Sequence, residues 1–266
     1  MNNQMRFIAS DLDGTLLDSD GVLNQEFFSV FWRLHQNNIM FAAASGRQYD
    51  SLKQIFEPVN REIFYIAENG ALVMYQGKEL YSSQMDTKLI RGIIEDTRKI
   101  ESSHIVVCGK RGAYTEMDDP LVIGEVNKYY SNYFIVSDLL EVEDEIIKLA
   151  ICHFGGSEEH LYPKLMTKFG KDVQVVVSSK IWLDIMNLGV SKGKAINKLQ
   201  ELLSFSYFQT MCFGDYFNDV EMLGSAYYSY AVENAHEDVK PYARFTAPAN
   251  SDNGVLSVIK TYLSKV

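Results

Sequence analysis

Short apolar runs that stop abruptly at polar residues constrain the fold of this chain most. Residues 7–10, 39–44 and 63–67 have the length and apolar character of buried strands, and a helical pattern separates the first two. In that pattern, apolar residues such as Phe27 and Phe31 follow the i, i+3, i+4, i+7 spacing of one helix face. Strands that alternate with helices indicate a parallel sheet with crossover connections. The sequence therefore predicts a Rossmann-like α/β core.

The middle of the chain has a different pattern. Between residues 84 and 187, several strand patterns follow one another with few helices between them, one of which is predicted at residues 158–169. The regular alternation returns after Gly189. We therefore predict a core domain in two parts, residues 1–83 and 188–266, and an inserted α+β domain between them.

The first polar motif is DLDGT at residues 11–15, directly after the first predicted strand. Ligands of open α/β sheets bind at the carboxyl ends of strands, where the chain leaves the sheet. Two carboxylates there can divide the work, since Asp11 can attack or hold a metal while Asp13 transfers a proton. Gly14 permits a sharp turn near a ligand. A DG turn at residues 20–21 then predicts a small hairpin flap.

Two further motifs are typical of phosphate binding. SGR at residues 45–47 ends the second strand pattern, and a hydroxyl with backbone amides ahead of a helix can bind phosphate. Lys192 begins another predicted helix, where the helix dipole disfavours a cation unless that cation serves a bound anion. The structural alternatives are a helix cap at Ser45 and an ordinary surface position for Lys192.

The fourth motif is GDYFND at residues 214–219, again after an apolar run. Three oxygen-bearing side chains in this short loop suit a hard cation such as Mg²⁺. Asp215 and Asp219 would strongly repel Asp11 and Asp13 if the two motifs met in space without a cation. The motif therefore predicts a metal site, provided that the motifs meet.

The order of these four motifs resembles that of the haloacid dehalogenase-like hydrolase superfamily. The long stretch between the second and third motifs is similar to the Cof-type subfamily, whose members carry a large α/β cap there. ENGA at residues 68–71, VSKG at 190–193 and AVENA at 231–235 resemble that subfamily too. The resemblance covers essentially the whole chain. It implies a core of this superfamily's fold with an α+β cap at residues 84–187.

The resemblance also implies catalytic and metal-binding roles. Asp11 would be the nucleophile and a Mg²⁺ ligand, and Asp13 would be the general acid and base. Asp13 would also bind the metal through its backbone carbonyl, and Asp215 would complete the metal site. Asp219 would support the loop.

Other motif residues would hold the substrate phosphate. By resemblance these are Ser45, Lys192, Asn218 and the backbone of Leu12 and Gly46. The implied activity is a Mg²⁺-dependent phosphatase that transfers a phosphoryl group from a small phosphorylated metabolite, such as a sugar phosphate, through an aspartyl-phosphate to water. Covalent catalysis of this kind splits one slow reaction into two faster steps.

Three alternatives remain open at this stage. A phosphomutase would use the same core and would differ in keeping water out. A serine hydrolase is suggested by GVSKG at residues 189–193, which fits the G-x-S-x-G pattern with Ser191 as nucleophile and His236 later in the chain. The third is an inactive binding module, against which both Asp11 and Asp13 argue.

Composition narrows the class of partner and the compartment. The formal net charge of −10 disfavours binding to nucleic acid or an anionic membrane. No apolar run approaches the roughly 20 residues of a membrane span, and no signal-peptide pattern occurs. The three cysteines are far apart and are predicted to be buried thiols. We expect a cytoplasmic protein whose oligomeric state the sequence leaves unknown.

Overall fold

The protein, seen in a computed structural model that describes residues 4–265, divides into two compact units. The first comprises the described residues up to Ser45, then Leu52–Tyr81, and those from Ser191 onward. The second comprises Gly46–Ser51 and Ser82–Val190. The predicted insert at 84–187 falls inside the longer segment of the second unit, and its exact boundaries stay a prediction.

The described part of the chain contains fourteen strands and nine α-helices. The strands are β1 (Phe7–Ser10), β2 (Met40–Ala44), β3 (Phe64–Ala67), β4 (Leu72–Tyr75), β5 (Lys78–Ser82), β6 (His104–Gly109), β7 (Ala113–Thr115), β8 (Tyr133–Ile135), β9 (Ile146–Cys152), β10 (Val173–Val177), β11 (Trp182–Asn187), β12 (Thr210–Gly214), β13 (Tyr228–Val232) and β14 (Phe245–Ala247). The helices are α1 (Glu26–Gln36), α2 (Tyr49–Ile55), α3 (Thr87–Thr97), α4 (Pro120–Tyr129), α5 (Ser157–His160), α6 (Tyr162–Phe169), α7 (Lys192–Leu203), α8 (Val220–Gly224) and α9 (Gly254–Leu263).

The sheet of the first unit is largely parallel. Its strand order is β14-β13-β12-β1-β2-β3-β4-β5, and every neighbouring pair from β14 to β3 is parallel. β1 lies in the middle, and all four of its residues are buried, as expected for a strand covered on both faces. This confirms the predicted parallel-sheet core.

Helices cover both faces of this sheet because successive strand residues point to opposite sides. On one face, Phe7 and Ala9 pack with Ile196 and Leu199 of α7. On the other, Phe27 of α1 packs edge-on against Phe41 of β2 at a ring distance of 5.1 Å. The apolar stripe predicted for α1 is therefore buried as expected.

The sheet of the second unit is mostly antiparallel, in the order β10-β11-β9-β6-β7-β8. The pair β7/β8 is the parallel exception. One face packs against α3 and α6 through residues such as Ile93 and Leu165. The other face packs against α4 through Val122 and Val126. The sequence predicts a parallel α/β core with an inserted mixed α+β domain, and this fold class is confirmed.

Two local predictions need correction. Residues 12–16 form a π-helical turn that the sequence did not predict, closed by the Leu17 amide bonding to the Leu12 carbonyl at 2.9 Å. The predicted DG turn follows and is closed by the Asp18 amide bonding to the Val22 carbonyl at 3.1 Å, but no strands flank it. The helix predicted at 158–169 is two helices, α5 and α6, because Pro163 lacks an amide proton and suits the start of a new helix. The prediction that all three cysteines are buried thiols is confirmed.

Candidate active site

The four sequence motifs contribute to one edge of the parallel sheet. β1 lies between β12 and β2, with Ser10 in register with Phe213 on one side and Ala43 on the other. Asp11, Asp215 and Ser45 follow these three strands, so they emerge at the same carboxyl edge. The Asp11 amide also donates to the Phe213 carbonyl at 3.0 Å, which extends the pairing to the site itself.

Lys192 connects two of the acidic residues. It is the first residue of α7, and its side chain is completely buried. Its Nζ donates to Asp11 Oδ1 at 2.5 Å and to Asp219 Oδ1 at 2.8 Å. The surface alternative for this lysine is therefore wrong.

Asp219 fixes the loop after β12. Its Oδ1 accepts the bond from Lys192, while its Oδ2 accepts from the backbone amides of Asp215 and Tyr216 at 3.0 and 3.3 Å. Both carboxylate oxygens are therefore engaged in holding the loop and the lysine. This arrangement suits a supporting role better than direct metal coordination.

Asp215 is held against the first motif. Thr15 Oγ1 donates to Asp215 Oδ1 at 3.0 Å. A Cβ atom at Gly14 would lie only 2.5 Å from Asp215 Oδ2, and the φ angle of Gly14 is 82°. Glycine is thus required there both for the backbone conformation and for the close approach of the carboxylate.

The acidic cluster carries more negative charge than Lys192 neutralises. One carboxylate oxygen from each of Asp11, Asp215 and Asp219 lies within 4.8 Å of the other two. Burial and the nearby Asp219 raise the pKa of Asp11 well above its usual value, against the opposing effect of Lys192. Burial and Asp219 likewise raise the pKa of Asp215 to about 6. Such shifts mark sites where an added cation would favour the charged carboxylates.

Lys192 remains a cation in this environment. Burial alone would lower the pKa of its ammonium group, but the carboxylates of Asp11 and Asp219 outweigh that effect and raise the pKa above its usual value. Three carboxylates around one ammonium leave two negative charges, which a divalent cation would neutralise. The candidate metal ligands are all carboxylate oxygens, which are hard ligands of the kind that Mg²⁺ prefers.

Ser45 and Asn218 are linked through a residue that the sequence analysis gave no role. Ser45 is buried, and its carbonyl accepts a bond from the Asn69 amide at 3.0 Å. Asn218 Nδ2 donates to Asn69 Oδ1 at 3.1 Å. Ser45 and Asn218 thus meet at Asn69, in the ENGA segment.

The remaining predicted residues are Leu12 and Asp13 of the first motif and Gly46 of the second. Leu12 is buried, and Asp13 is exposed in an extended conformation with a φ angle of −72°. The charge of Asp13 contributes to the raised pKa of Asp215. Gly46 belongs to the second unit, where its carbonyl accepts a bond from Lys148 Nζ at 3.0 Å. The roles of these residues stay predictions.

Asn234 is a further residue that sequence reasoning missed. Its Nδ2 donates to the Gly14 carbonyl at 2.7 Å, and its Oδ1 accepts from the Asn250 amide at 2.9 Å. The AVENA segment contained the signal, since Asn234 is one of its two polar residues, but only the three-dimensional contact reveals what the residue holds.

Comparison with known proteins identifies the family. The sequence pattern of the haloacid dehalogenase-like hydrolases matches residues 8–259. The chain belongs to this family. The match includes all four motifs, so the resemblance inferred from the residues is confirmed.

Named relatives of this hydrolase are phosphatases. The 5-amino-6-(5-phospho-D-ribitylamino)uracil phosphatase YbjI of Escherichia coli strain K12 is 30% identical over 97% of this chain and 96% of that protein. An HMP-PP phosphatase of Enterobacter sp. strain 638 is 27% identical over 83% of this chain and 81% of that protein. The crystal structure of SMU.1108c from Streptococcus mutans UA159 superposes with a TM-score of 0.91 at 26% identity, covering 98% of this chain and 100% of that one.

The enzyme class follows from these findings. This hydrolase is a phosphatase of the haloacid dehalogenase superfamily, a phosphoric monoester hydrolase, as predicted. Among residues 4–265, no helix has the length and apolar character needed to cross a bilayer.

The serine-hydrolase alternative is not supported at Ser191. A serine nucleophile of that type stands exposed on a sharp turn. Ser191 is instead buried, and its hydroxyl caps α7 by accepting the Lys194 amide at 3.1 Å. The G-x-S-x-G pattern here is a helix start.

Proposed function

We propose that this hydrolase is a Mg²⁺-dependent phosphatase that acts on small phosphorylated metabolites, including sugar phosphates, through an aspartyl-phosphate on Asp11. The observation that carries the proposal is the buried cluster in which Lys192 contacts Asp11 and Asp219 while the Asp215 carboxylate lies nearby. Such a cluster combines an acidic nucleophile with the positive charge that an anionic substrate requires.

The residues present fit a magnesium ion. Asp11 and Asp215 would hold it with their side chains and Asp13 with its backbone carbonyl, because both oxygens of Asp219 are engaged elsewhere. Bound Mg²⁺ would neutralise charge on the phosphoryl oxygens and on the clustered carboxylates. Thr15 keeps the Asp215 carboxylate in place for this task.

The side chains divide the phosphoryl transfer between them. Asp11 attacks phosphorus, so that a bond forms to its carboxylate oxygen while the bond to the leaving oxygen breaks. Lys192 is placed beside the attacking carboxylate and would offset the negative charge of the phosphoryl group. Ser45 and Asn218, with the backbone of Leu12 and Gly46, would hold its remaining oxygens.

Asp13 would serve as the general acid and base. It donates a proton to the leaving alcohol in the first step and takes a proton from water in the second, when water releases phosphate from Asp11. Its exposed position in the turn after β1 is compatible with reaching both the leaving group and water.

The substrate class rests on the named relatives. One acts on a phosphorylated ribityl compound and another on HMP-PP, as their names state. We propose that residues 84–187 are the cap of Cof-type members and that they select among such metabolites. Hydrolysis is favoured over the phosphomutase alternative because these relatives are phosphatases. A cytoplasmic location stays a prediction.

A panel of phosphorylated metabolites, assayed for phosphate release with Mg²⁺, tests the proposal. We expect turnover of several members, complete loss with a chelator, and recovery when Mg²⁺ is restored. Asp11→Asn, nearly identical in shape, should abolish turnover without unfolding the protein. Asp20→Asn, in the exposed turn that follows, is the matched control and should remain active. Substantial activity in Asp11→Asn would refute the nucleophile assignment.

A further inference from the structure

The connection between β3 and β4 has an unusual backbone. Three successive residues, Glu68, Asn69 and Gly70, have positive φ angles of 50°, 54° and 96°. Glycine adopts this left-handed region freely, whereas other residues carry a steric penalty, which is smallest for asparagine and aspartate. Strain of this kind persists only where surrounding structure maintains it and is often found at functional sites. We refer to residues 68–71 as the arch.

The arch contacts three segments of the active site. The Asn69 amide donates to the carbonyl of Ser45, at the end of β2. A Cβ atom at Gly70 would lie 2.3 Å from the Ser191 carbonyl oxygen, so the arch lies directly against the residue before Lys192. The Asn69 side chain accepts a hydrogen bond from Asn218, in the loop after β12. Three segments that are distant in sequence therefore meet at a single buried turn.

We propose that Asn69 is a positioning residue for the phosphate-binding group of Asn218, an inference that rests on the function proposed above. A side-chain amide presents either oxygen, which repels an anion, or nitrogen, which can donate to one. Asn69 Oδ1 accepts one N–H of Asn218 and so fixes which end of that amide faces its neighbours. The second N–H is then available for a phosphoryl oxygen.

The competing explanation is that Asn69 satisfies the turn alone. Tight connections between antiparallel strands often require positive φ angles, and asparagine tolerates them. In that case the side-chain oxygen would be irrelevant, and glycine would serve at least as well. Substitution by glycine therefore separates the two explanations, since it tolerates the same backbone conformation and removes the side chain that carries the acceptor.

The experiment compares Asn69→Gly with Asn38→Gly. Asn38 also has a positive φ angle, 57°, but it is exposed after α1, outside the site. Binding of inorganic phosphate is measured by calorimetry with Mg²⁺ present, together with Tm and steady-state kinetics. We expect Asn69→Gly to weaken phosphate binding roughly tenfold and to raise KM more than it lowers kcat, because the Asn218 amide loses its acceptor. Its Tm should change little, because glycine relieves the positive-φ strain while the side-chain hydrogen bond is lost, and Asn38→Gly should bind phosphate normally.

A double substitution completes the test. Asn218→Ala should weaken phosphate binding by itself, and adding Asn69→Gly should weaken it no further, because Asn69 acts through Asn218. Wild-type phosphate affinity in Asn69→Gly, additive losses in the double variant, or a loss that accompanies unfolding would each overturn the inference. Phosphate binding is measured without turnover. These results can therefore be interpreted even if Asp11→Asn stays active and the proposed function is refuted.

Discussion

Each unit of this hydrolase buries a lysine, and the two lysines have different surroundings. Lys192 begins α7 at the edge of the parallel sheet, with carboxylate oxygens of Asp11 and Asp219 at 2.5 and 2.8 Å. Lys148 lies within β9 of the mostly antiparallel sheet, 3.7 Å from Asp184 on β11 and 3.0 Å from the Gly46 carbonyl.

The difference reflects how the two sheets bring charges together. Parallel strands end at a common edge, so residues that follow β1 and β12 converge although they are far apart in sequence. In an antiparallel pair, charged residues can instead meet diagonally on one face, as Lys148 of β9 does with Asp184 of β11, whose register partner is Ala150. The first arrangement accumulates an excess of negative charge that suits a cation and an anionic substrate. The second balances a charge inside a packed unit.

Replacing the buried lysine of the first unit should have the largest effect. Lys192→Met removes the ammonium group that contacts Asp11 and Asp219. We expect kcat/KM to fall on the order of 10²-fold to 10³-fold, as when one preorganised charge-stabilising group is lost. Steady-state kinetics on the best metabolite of the panel measures the change. Lys194→Met, at an exposed position on the same helix, should leave kcat/KM unchanged. Equal losses in both variants would show that the contacts of Lys192 with Asp11 and Asp219 are not the cause.

A smaller effect is expected from crowding the acidic cluster. In Gly14→Ala, the new methyl group would collide with the Asp215 carboxylate and displace it from Thr15. We expect the Mg²⁺ concentration for half-maximal activity to rise roughly 10-fold to 100-fold, the cost of disturbing groups that orient a metal ligand. Gly21→Ala is the matched control, because its φ angle of 74° imposes the same backbone strain with open space around it. A similar change in the control would assign the effect to strain.

Replacing the buried lysine of the second unit should lower the stability of the protein. Lys148→Met removes the buried ammonium group that contacts the Asp184 carboxylate and donates to the Gly46 carbonyl. We expect the free energy of unfolding, measured by urea denaturation, to fall by about 3–5 kcal/mol. Lys128→Met breaks a surface pair with Glu125 and should cost far less. Equal stability losses would show that burial does not distinguish the two pairs.

The smallest effect is expected where the two units behave alike. Cys152 of the second unit and Cys212 of the first are both buried, and burial raises the pKa of the Cys152 thiol to about 12 and that of Cys212 also. Below those values the thiols stay protonated and unreactive. Mass spectrometry after iodoacetamide treatment at mildly alkaline pH should find neither cysteine alkylated before denaturant is added. Selective labelling of one would indicate that its unit opens locally.

The sequence predicts the parallel-sheet architecture of the first unit better than it predicts the individual strands and turns. β1 and the start of α7 occur where apolar runs and Lys192 indicated, because a buried parallel strand is a continuous apolar segment ending at a functional residue. The strands β4, β5, β13 and β14 were missed, since they are only partly buried and lack the fully buried pattern of β1. The π-helical turn at residues 12–16 was missed because its local residues do not reveal it.

Residues of the candidate site were predictable where a short contiguous motif indicates their chemical role. Asp11, Asp215 and Lys192 each stand in a recognisable local context, and the sheet brings them together. Asn69 and Asn234 were named in family-like segments without roles, because their partners, Asn218 and the Gly14 carbonyl, are distant in sequence. Long-range hydrogen bonds of this kind follow from the folded geometry alone.

The most direct test of the account is to trap the covalent intermediate. The enzyme is mixed with Mg²⁺ and a substrate from the panel, quenched in acid during turnover, digested and analysed by mass spectrometry. We expect a phosphorylated peptide with the phosphoryl group on Asp11, and none from the Asp11→Asn variant. A phosphoryl group found on Ser45 or Ser191 instead, during active turnover, would contradict it.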